Sequence, residues 1–150
     1  MRSPARSSVP PAAVTAVQPA AVPAVVLAGV LDVVVVVAFV AAGRSSHAES
    51  GGVVGVLTTA WPFLVACAVG WLVLRVWRSP WRVWPAGVAL WAVTGAGGLA
   101  LRGLAGGGLA PAFVAVAAGV LAVGLVGWRT VATLLSGSAR RRPVGSARGR

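Results

Sequence analysis

Two acidic residues, Asp32 and Glu49, are the only carboxylate side chains in this sequence of 150 residues. Asp32 interrupts the apolar run GVLDVVVVVAFVAAGR, which ends at Arg44. A carboxylate in such a run is a default candidate for a proton or cation site inside a membrane. The alternative is a buried hydrogen-bonding pin that orients helices. The pin is slightly favoured, because a transporter usually has more intramembrane polar groups than this chain offers.

The neighbours of Asp32 predict a helix face that packs on another helix, because at helical spacing the residue shares a face with Val25, Ala28, Gly29, Val36 and Phe39. An ionised aspartate at the membrane centre costs roughly 2.5–3.5 kcal/mol, while each apolar neighbour returns about 0.3–0.6 kcal/mol, so the helix still inserts. A protonated carboxyl group and a partnered ionised one are comparable in energy, and the sequence leaves both open.

The partners predicted for Asp32 are hydroxyl and indole groups at a similar depth in other apolar runs. No arginine is expected deep enough in a span to form a salt bridge with it. The candidate intramembrane polar site therefore comprises Asp32, Thr59, Trp61 and Thr94, with Thr58 as a further hydroxyl.

A second cluster, Arg44, His47 and Glu49, follows the first apolar run in the segment GRSSHAES. A His–Glu pair that senses pH and an Arg–His pair that binds phosphate are the functional interpretations, since histidine titrates near neutrality. A solvated loop is the simpler interpretation, and it is favoured.

Groups for catalysis or metal binding are scarce in the sequence. One histidine and one glutamate are too few ligands for a structural zinc site. No serine or cysteine has a nearby base, and no glycine-rich phosphate loop follows a strand. The single Cys67 lies in an apolar run and has no second cysteine to pair with. We therefore expect no enzyme activity, no metal and no cofactor.

The composition favours a lipid environment over water. Hydrophobic residues make up 58% of the chain and charged residues only 10%, against roughly 25% charged in soluble domains. The net charge of +11 comes from arginines that cluster at the ends of apolar runs. A nucleic-acid-binding protein would spread them along one face with aromatic residues between them, so nucleic acid is not an expected partner.

Four apolar runs approach or exceed the roughly 20 residues that cross a bilayer, which predicts an all-α bundle of four transmembrane helices over residues 23–135. Their approximate bounds are 23–43, 53–74, 85–101 and 109–135. The third run is the shortest. The side chains of its segment TGAGG are small enough to allow close contact with another helix. Pro62 predicts a kink in the second span, where a threonine hydroxyl could bond to the carbonyl that it frees.

Both ends of the chain are predicted to be disordered cytoplasmic tails, one rich in proline (1–22) and one basic (136–150). With the N-terminus inside, eleven arginines lie on the cytoplasmic side and two, Arg44 and Arg102, on the other. The positive-inside rule therefore predicts that both termini are cytoplasmic, in a bacterial cell (inner) membrane.

A cleaved signal peptide competes with this interpretation, because Arg2 and Arg6 precede the first run and Val40-Ala41-Ala42 is similar to a cleavage site. The run exceeds the usual 7–15 residues and contains an aspartate, which favours a retained span.

Five of the seven tryptophans, 71, 77, 81, 84 and 128, are predicted to lie at the cytoplasmic interface as anchors. Trp61 and Trp91 are predicted to lie deeper, in the interior of the bundle. The arginines beside the interfacial tryptophans, as in RVWRSPWRVWP, and those of the tails predict contact with anionic lipid at the cytoplasmic face.

Several segments resemble the small bacterial and archaeal membrane proteins of the domain of unknown function 3054. The most specific are the Asp32 run that closes on Gly43-Arg44 with His47, and TAWPF, Thr59 to Phe63; the likeness covers roughly residues 27–132. The resemblance implies a four-helix integral membrane protein. It does not indicate a biochemical activity.

The expected function is thus that of a non-enzymatic, structural or accessory membrane protein, with a homo-oligomer or a membrane partner protein packed on small-residue faces such as Ala66-xxx-Gly70 and Ala115-xxx-Gly119. The alternative is a small proton- or cation-coupled transporter or channel subunit that uses Asp32.

Overall fold

The computed structural model describes residues 22–45 and 52–139, and this part of the chain is all-α without a strand. Its helices are α1 (Val22–Ser45), α2 (Gly52–Val73), α3 (Val88–Leu104) and α4 (Pro111–Ala139). The prediction of four helices is confirmed. The predicted tails up to residue 21 and from residue 140, together with His47 and Glu49, lie outside the described residues.

All four helices are long and apolar enough to cross a membrane. Their apolar stretches comprise 23, 22, 22 and 27 residues, against the roughly 20 that a bilayer requires. The third stretch, Val83–Leu104, reaches this length only because it includes Val83–Gly87 before α3, a kinked segment in which Trp84 has an extended backbone (φ −115°, ψ 134°). The fourth helix continues to Ala139, four residues beyond the predicted end of the span, so the start of the predicted basic tail is helical.

The core near one end of the bundle is a cluster of three phenylalanine rings, Phe39 of α1, Phe63 of α2 and Phe113 of α4. Their ring centres lie 5.5–6.4 Å apart, within the range of favourable aromatic pairs. Leu121 and Leu125 of α4 are fully buried and belong to the same cluster. Aromatic and aliphatic packing therefore joins α1, α2 and α4.

Helices α2 and α3 form the most extensive helix–helix contact, where small residues let the backbones approach. Gly98 of α3 faces the ring of Phe63, and a Cβ atom at this position would overlap that ring. Gly97 lies against Ala66 of α2. The predicted role of TGAGG in close helix contact is confirmed.

Pro62 lies inside α2, which is helical on both sides of it. The hydroxyl groups of Thr58 and Thr59 both donate to the carbonyl of Gly55, at 3.0 and 2.9 Å. The expectation that one of them bonds to the carbonyl freed by Pro62, that of Thr58, is wrong. Each hydroxyl bonds instead to a carbonyl three or four residues earlier, the usual local acceptor for a helical threonine.

The connection between α2 and α3, residues 74–87, is partly inserted into the bundle. Val76 and Pro80 are fully buried, whereas Arg75, Arg78 and Trp84 are exposed. Since Pro80 is buried, its carbonyl needs a hydrogen-bond donor from within the protein.

We predict that Gly98→Ala lowers the free energy of unfolding by about 1–3 kcal/mol, because the added methyl group overlaps the Phe63 ring in a packed interface. Thermal unfolding in dodecyl maltoside measures the effect. Gly127→Ala is the matched control, since no heavy atom lies within 4 Å of the position of its Cβ. Equal melting temperatures for the two variants would contradict the close approach of α2 and α3.

Candidate functional site

The carboxylate of Asp32 is fully buried and forms a two-pronged ion pair with Arg129 of α4. The Nη1 atom of Arg129 donates to Oδ1 of Asp32 and the Nη2 atom donates to Oδ2, both at 2.7 Å. This parallel arrangement is the strongest geometry available to a carboxylate and a guanidinium group. The pair joins the first and the last helix of the bundle.

Two indole groups complete the hydrogen bonding of Asp32. Trp71 of α2 donates to Oδ2 and Trp128 of α4 donates to Oδ1, each at 2.9 Å. Each carboxylate oxygen therefore accepts two hydrogen bonds, which fills the roughly four acceptor positions of an ionised carboxylate.

The guanidinium group of Arg129 is held from several directions besides Asp32. Its Nε donates to the carbonyl of Pro80 at 3.0 Å, and Nη1 also donates to the carbonyl of Leu125 at 2.7 Å. Its central carbon lies 4.4 Å from the ring centre of Trp128, which packs edge-on against Trp81. The buried Pro80 carbonyl thus receives its donor, and the α2–α3 connection is tied to α4.

Helix lengths bring the two charges to the same depth. Asp32 lies ten residues after the start of α1, and Arg129 lies ten residues before the end of α4, so each is roughly 15 Å from that end of its helix. Because α1 and α4 run in opposite directions, these two ends lie on the same side of the bundle. Gly87 leaves room for Arg129, since a Cβ atom there would lie 2.9 Å from the Arg129 Cδ.

The predicted grouping of Asp32 with Thr59, Trp61 and Thr94 does not form. Thr59 accepts a hydrogen bond from Arg44 at 3.2 Å, nearer the other end of the bundle, and Trp61 is 43% exposed on the outer surface of α2. Thr94 is fully buried and lies beside the Cys67 thiol, but its hydroxyl makes no well-formed hydrogen bond within the described residues.

The expectation that no arginine reaches Asp32 is wrong. It assumed that α4 ends near residue 135, which would leave Arg129 close to the interface, whereas α4 continues to Ala139. Trp71 and Trp128, predicted as interfacial anchors, are instead donors to Asp32. One feature of the sequence could have predicted this ion pair: Asp32 and Arg129 have opposite charges, and each lies inside a long apolar run.

Other tryptophans agree better with their predicted places. Trp77 and Trp84 are exposed in the α2–α3 connection, as anchors would be. Trp91, predicted to lie in the interior with a partner for its indole, is partly buried and donates to the carbonyl of Ala118 of α4 at 2.9 Å. Of the second predicted cluster only Arg44 is described, and its guanidinium group bonds to Thr59.

The arrangement around Asp32 orients helices and leaves little capacity for ligands. Asp32 and Arg129 are both 0% exposed, and the acceptor positions of the carboxylate are occupied. Within residues 22–45 and 52–139, no three histidine, cysteine or acidic side chains are grouped as a metal site requires.

A comparison with protein families finds one model, described as "Protein of unknown function (DUF3054)", that matches residues 29–132. The matched segment contains Asp32, Trp71, Trp128 and Arg129, and so includes the whole hydrogen-bond network of the carboxylate. No curated protein and no solved structure matches the chain.

The ion pair predicts strong coupling between its two residues. Asp32→Leu and Arg129→Met should each lower the free energy of unfolding by about 3–5 kcal/mol, because each leaves one buried charge unpaired. The double variant should lose clearly less than the sum, since it removes both charges. Unfolding in mixed detergent micelles measures all three.

Arg78→Met is the matched control, because Arg78 is exposed in the α2–α3 connection, and its effect should stay within about 0.5 kcal/mol. Additive losses in the double variant would show that Asp32 and Arg129 do not interact.

Proposed function

The chain belongs to the DUF3054 family, and from this membership and the buried ion pair we propose that it is a multi-pass integral membrane protein with a structural or accessory, non-enzymatic role. The observation that carries the proposal is the full set of hydrogen bonds on Asp32, which makes it a pin between helices. The proposed location is the cell (inner) membrane of a bacterium.

Insertion into a bilayer is supported by the outer faces of the helices. Large apolar side chains are exposed along each of the longest helices, including Val30 and Val34 of α1, Val65 of α2 and Val123 of α4. Exposed apolar surface of this extent is costly in water but matches lipid chains. Because these elements are α-helices, most of their backbone hydrogen bonds form within each helix, as a lipid environment requires.

The orientation with both termini in the cytoplasm is supported by the arginine distribution. Arg129 lies within a span, so ten of the thirteen arginines lie on the proposed inner side and two, Arg44 and Arg102, on the other. Arg75, Arg78 and Arg82 are all exposed in the α2–α3 connection, where they can reach anionic headgroups. The bias in charge therefore remains strong.

A role for Asp32 as a proton or cation site has less support. A cation that approached the carboxylate would have to displace Arg129, which itself makes four hydrogen bonds. Removing one partner of a buried pair costs about 3–5 kcal/mol. Neither residue has any exposed surface from which a proton could arrive.

The non-enzymatic part of the proposal rests on the scarcity of nucleophile–base pairs in the sequence. An accessory role would use a contact with another membrane helix. Ala115 and Gly119 of α4 are both exposed, one turn apart, and no heavy atom lies near the Cβ position of Gly119. Ala66 and Gly70, in contrast, are already buried against α3. The free small-residue face of α4 therefore suits a second copy or a partner helix.

The transport alternative is tested by proton flux into proteoliposomes loaded with a pH-sensitive dye. We predict that the wild-type protein gives no flux above empty liposomes and that Asp32→Asn leaves this unchanged while lowering the melting temperature. A wild-type flux that a folded Asp32→Asn variant lacks would replace the pin with a transport site.

The orientation is tested with alkaline phosphatase fusions, because the enzyme is active only outside the cytoplasm. A fusion at Ser46 should be active and one after Arg150 inactive. The reverse pattern would overturn the proposed topology.

A further inference from the structure

We propose that a cavity at the opposite end of the bundle from the ion pair binds a phosphate group, either of a lipid headgroup or of free inorganic phosphate. The cavity lies where α1 and α3 end and where α2 and α4 begin, and its two charged residues are Arg44 and Arg102. We call it the Arg44–Arg102 cavity. The inference is independent of the role of Asp32 and goes beyond the proposed structural function.

The Arg44–Arg102 cavity has a volume of about 470 Å³, within the range of small-ligand sites. Its polar side chains are the two arginines and Thr59, and the rest of the lining is mainly apolar, including Phe39, Val40 and Val116. Two positive charges over an apolar wall form a site for an anionic group that carries an apolar part.

Arg44 is positioned by two residues of α2. Its Nη1 donates to the hydroxyl of Thr59 at 3.2 Å, and that hydroxyl donates to the carbonyl of Gly55 at 2.9 Å. The guanidinium group lies directly over Gly55, where a Cβ atom would overlap it. The last turn of α1 thus presents a fixed positive charge rather than a freely moving side chain.

Arg102 is held across the cavity from the end of α3. Its Nε donates to the carbonyl of Gly108 at 3.2 Å, and its guanidinium carbon lies 4.6 Å from the ring centre of Phe113. Within the described residues its terminal nitrogens make no hydrogen bond, and the one carboxylate, Asp32, is occupied by Arg129. The outer edge of this guanidinium group is therefore available to a ligand.

The first turn of α4 adds to the positive field. Ala110, Ala112 and Phe113 line the cavity, and the first hydrogen bond of the helix runs from the Val114 amide to the carbonyl of Ala110. The amides of Ala112 and Phe113 therefore precede the first possible intrahelical bond. A helix N-terminus favours an anion at this position.

Phosphate fits these donors better than a halide would. The planar guanidinium fork matches two oxygens of a tetrahedral oxyanion, and charge-assisted bonds of this type are the strong ones. Val116, which lines the cavity, is 54% exposed on the outer surface of α4 and would lie against lipid chains. The cavity therefore suits a lipid phosphate whose chains follow α4, and it also admits phosphate alone.

Isothermal titration calorimetry on the full chain in dodecyl maltoside tests the proposal with two probes, inorganic phosphate and dihexanoyl phosphatidylglycerol. We expect saturable binding of at least one probe to the wild-type protein. Binding of phosphate and lipid alike indicates a free-phosphate site, and binding of the lipid alone indicates a headgroup site. Both results support the proposal, and the absence of saturable binding by either probe overturns it.

Arginine variants assign the binding to the cavity. Arg44→Gln and Arg102→Gln should each weaken binding at least tenfold, since each removes charge-assisted hydrogen bonds. The matched control is Arg78→Gln, which removes an exposed arginine at the other end of the bundle and should bind like the wild type. Affinities unchanged in both cavity variants would overturn the assignment.

The melting temperature of each arginine variant, measured without probe, shows whether weaker binding results from the lost guanidinium group or from misfolding. If Arg102→Gln melts below the wild type, Arg102→Lys replaces it, because lysine keeps the charge but lacks the fork. We expect this variant to bind more weakly than the wild type. Wild-type affinity in Arg102→Lys would contradict the role of the guanidinium fork.

Discussion

The arrangement of this bundle depends on one buried ion pair, Asp32 with Arg129, which joins the first helix to the last. Burial of two charges costs several kcal/mol each, and their attraction offsets that cost only with good geometry and full hydrogen bonding. The carboxylate meets both conditions, and four of the five N–H donors of Arg129 are bonded. The guanidinium group bonds with both carboxylate oxygens, the indoles of Trp71 and Trp128 fill the remaining acceptor positions, and backbone carbonyls take two further donor hydrogens of Arg129. An apolar pair would hold the same helices without specifying their depth, whereas this network is satisfied in only one register.

The same network explains why the α2–α3 connection is folded into the bundle. The Nε of Arg129 needs an acceptor, and the carbonyl of Pro80 supplies it from inside the connection. Val76 of the connection is buried in a cluster with Cys67 and Leu90, while the arginines and two tryptophans of the connection remain exposed. One segment thus closes the end of the bundle and presents basic and aromatic side chains to the proposed membrane interface. At the opposite end, Arg44 and Arg102 line a cavity between the helix ends, so the two ends of the bundle differ in chemistry.

Hydrophobic run length was sufficient to predict the four helices, because crossing lipid demands roughly 20 apolar residues and little else. It also predicted that Asp32 faces other helices, since Ala28, Val36 and Phe39 on the same face are buried. The partners of Asp32 were not predictable in the same way. They depend on where α4 ends and on the rotation of α2, and an error of four residues at one helix end moved Arg129 from the interface into the bundle. Trp61 and Trp71 are both tryptophans of α2, and only the rotation of that helix places the second at Asp32 and the first on the outer surface.

The central claim, that Asp32 is an ionised carboxylate locked by Arg129, is tested most directly by isotope-edited infrared spectroscopy. Asp32 is the only aspartate in the chain, so ¹³C labelling of the aspartate carboxyl carbon reports on this single group. In detergent at neutral pH the account predicts the paired stretching bands of a carboxylate, displaced in Arg129→Gln, where the guanidinium fork is gone. The carbonyl band of a protonated carboxylic acid in the wild-type protein, or bands identical in the two proteins, would contradict it.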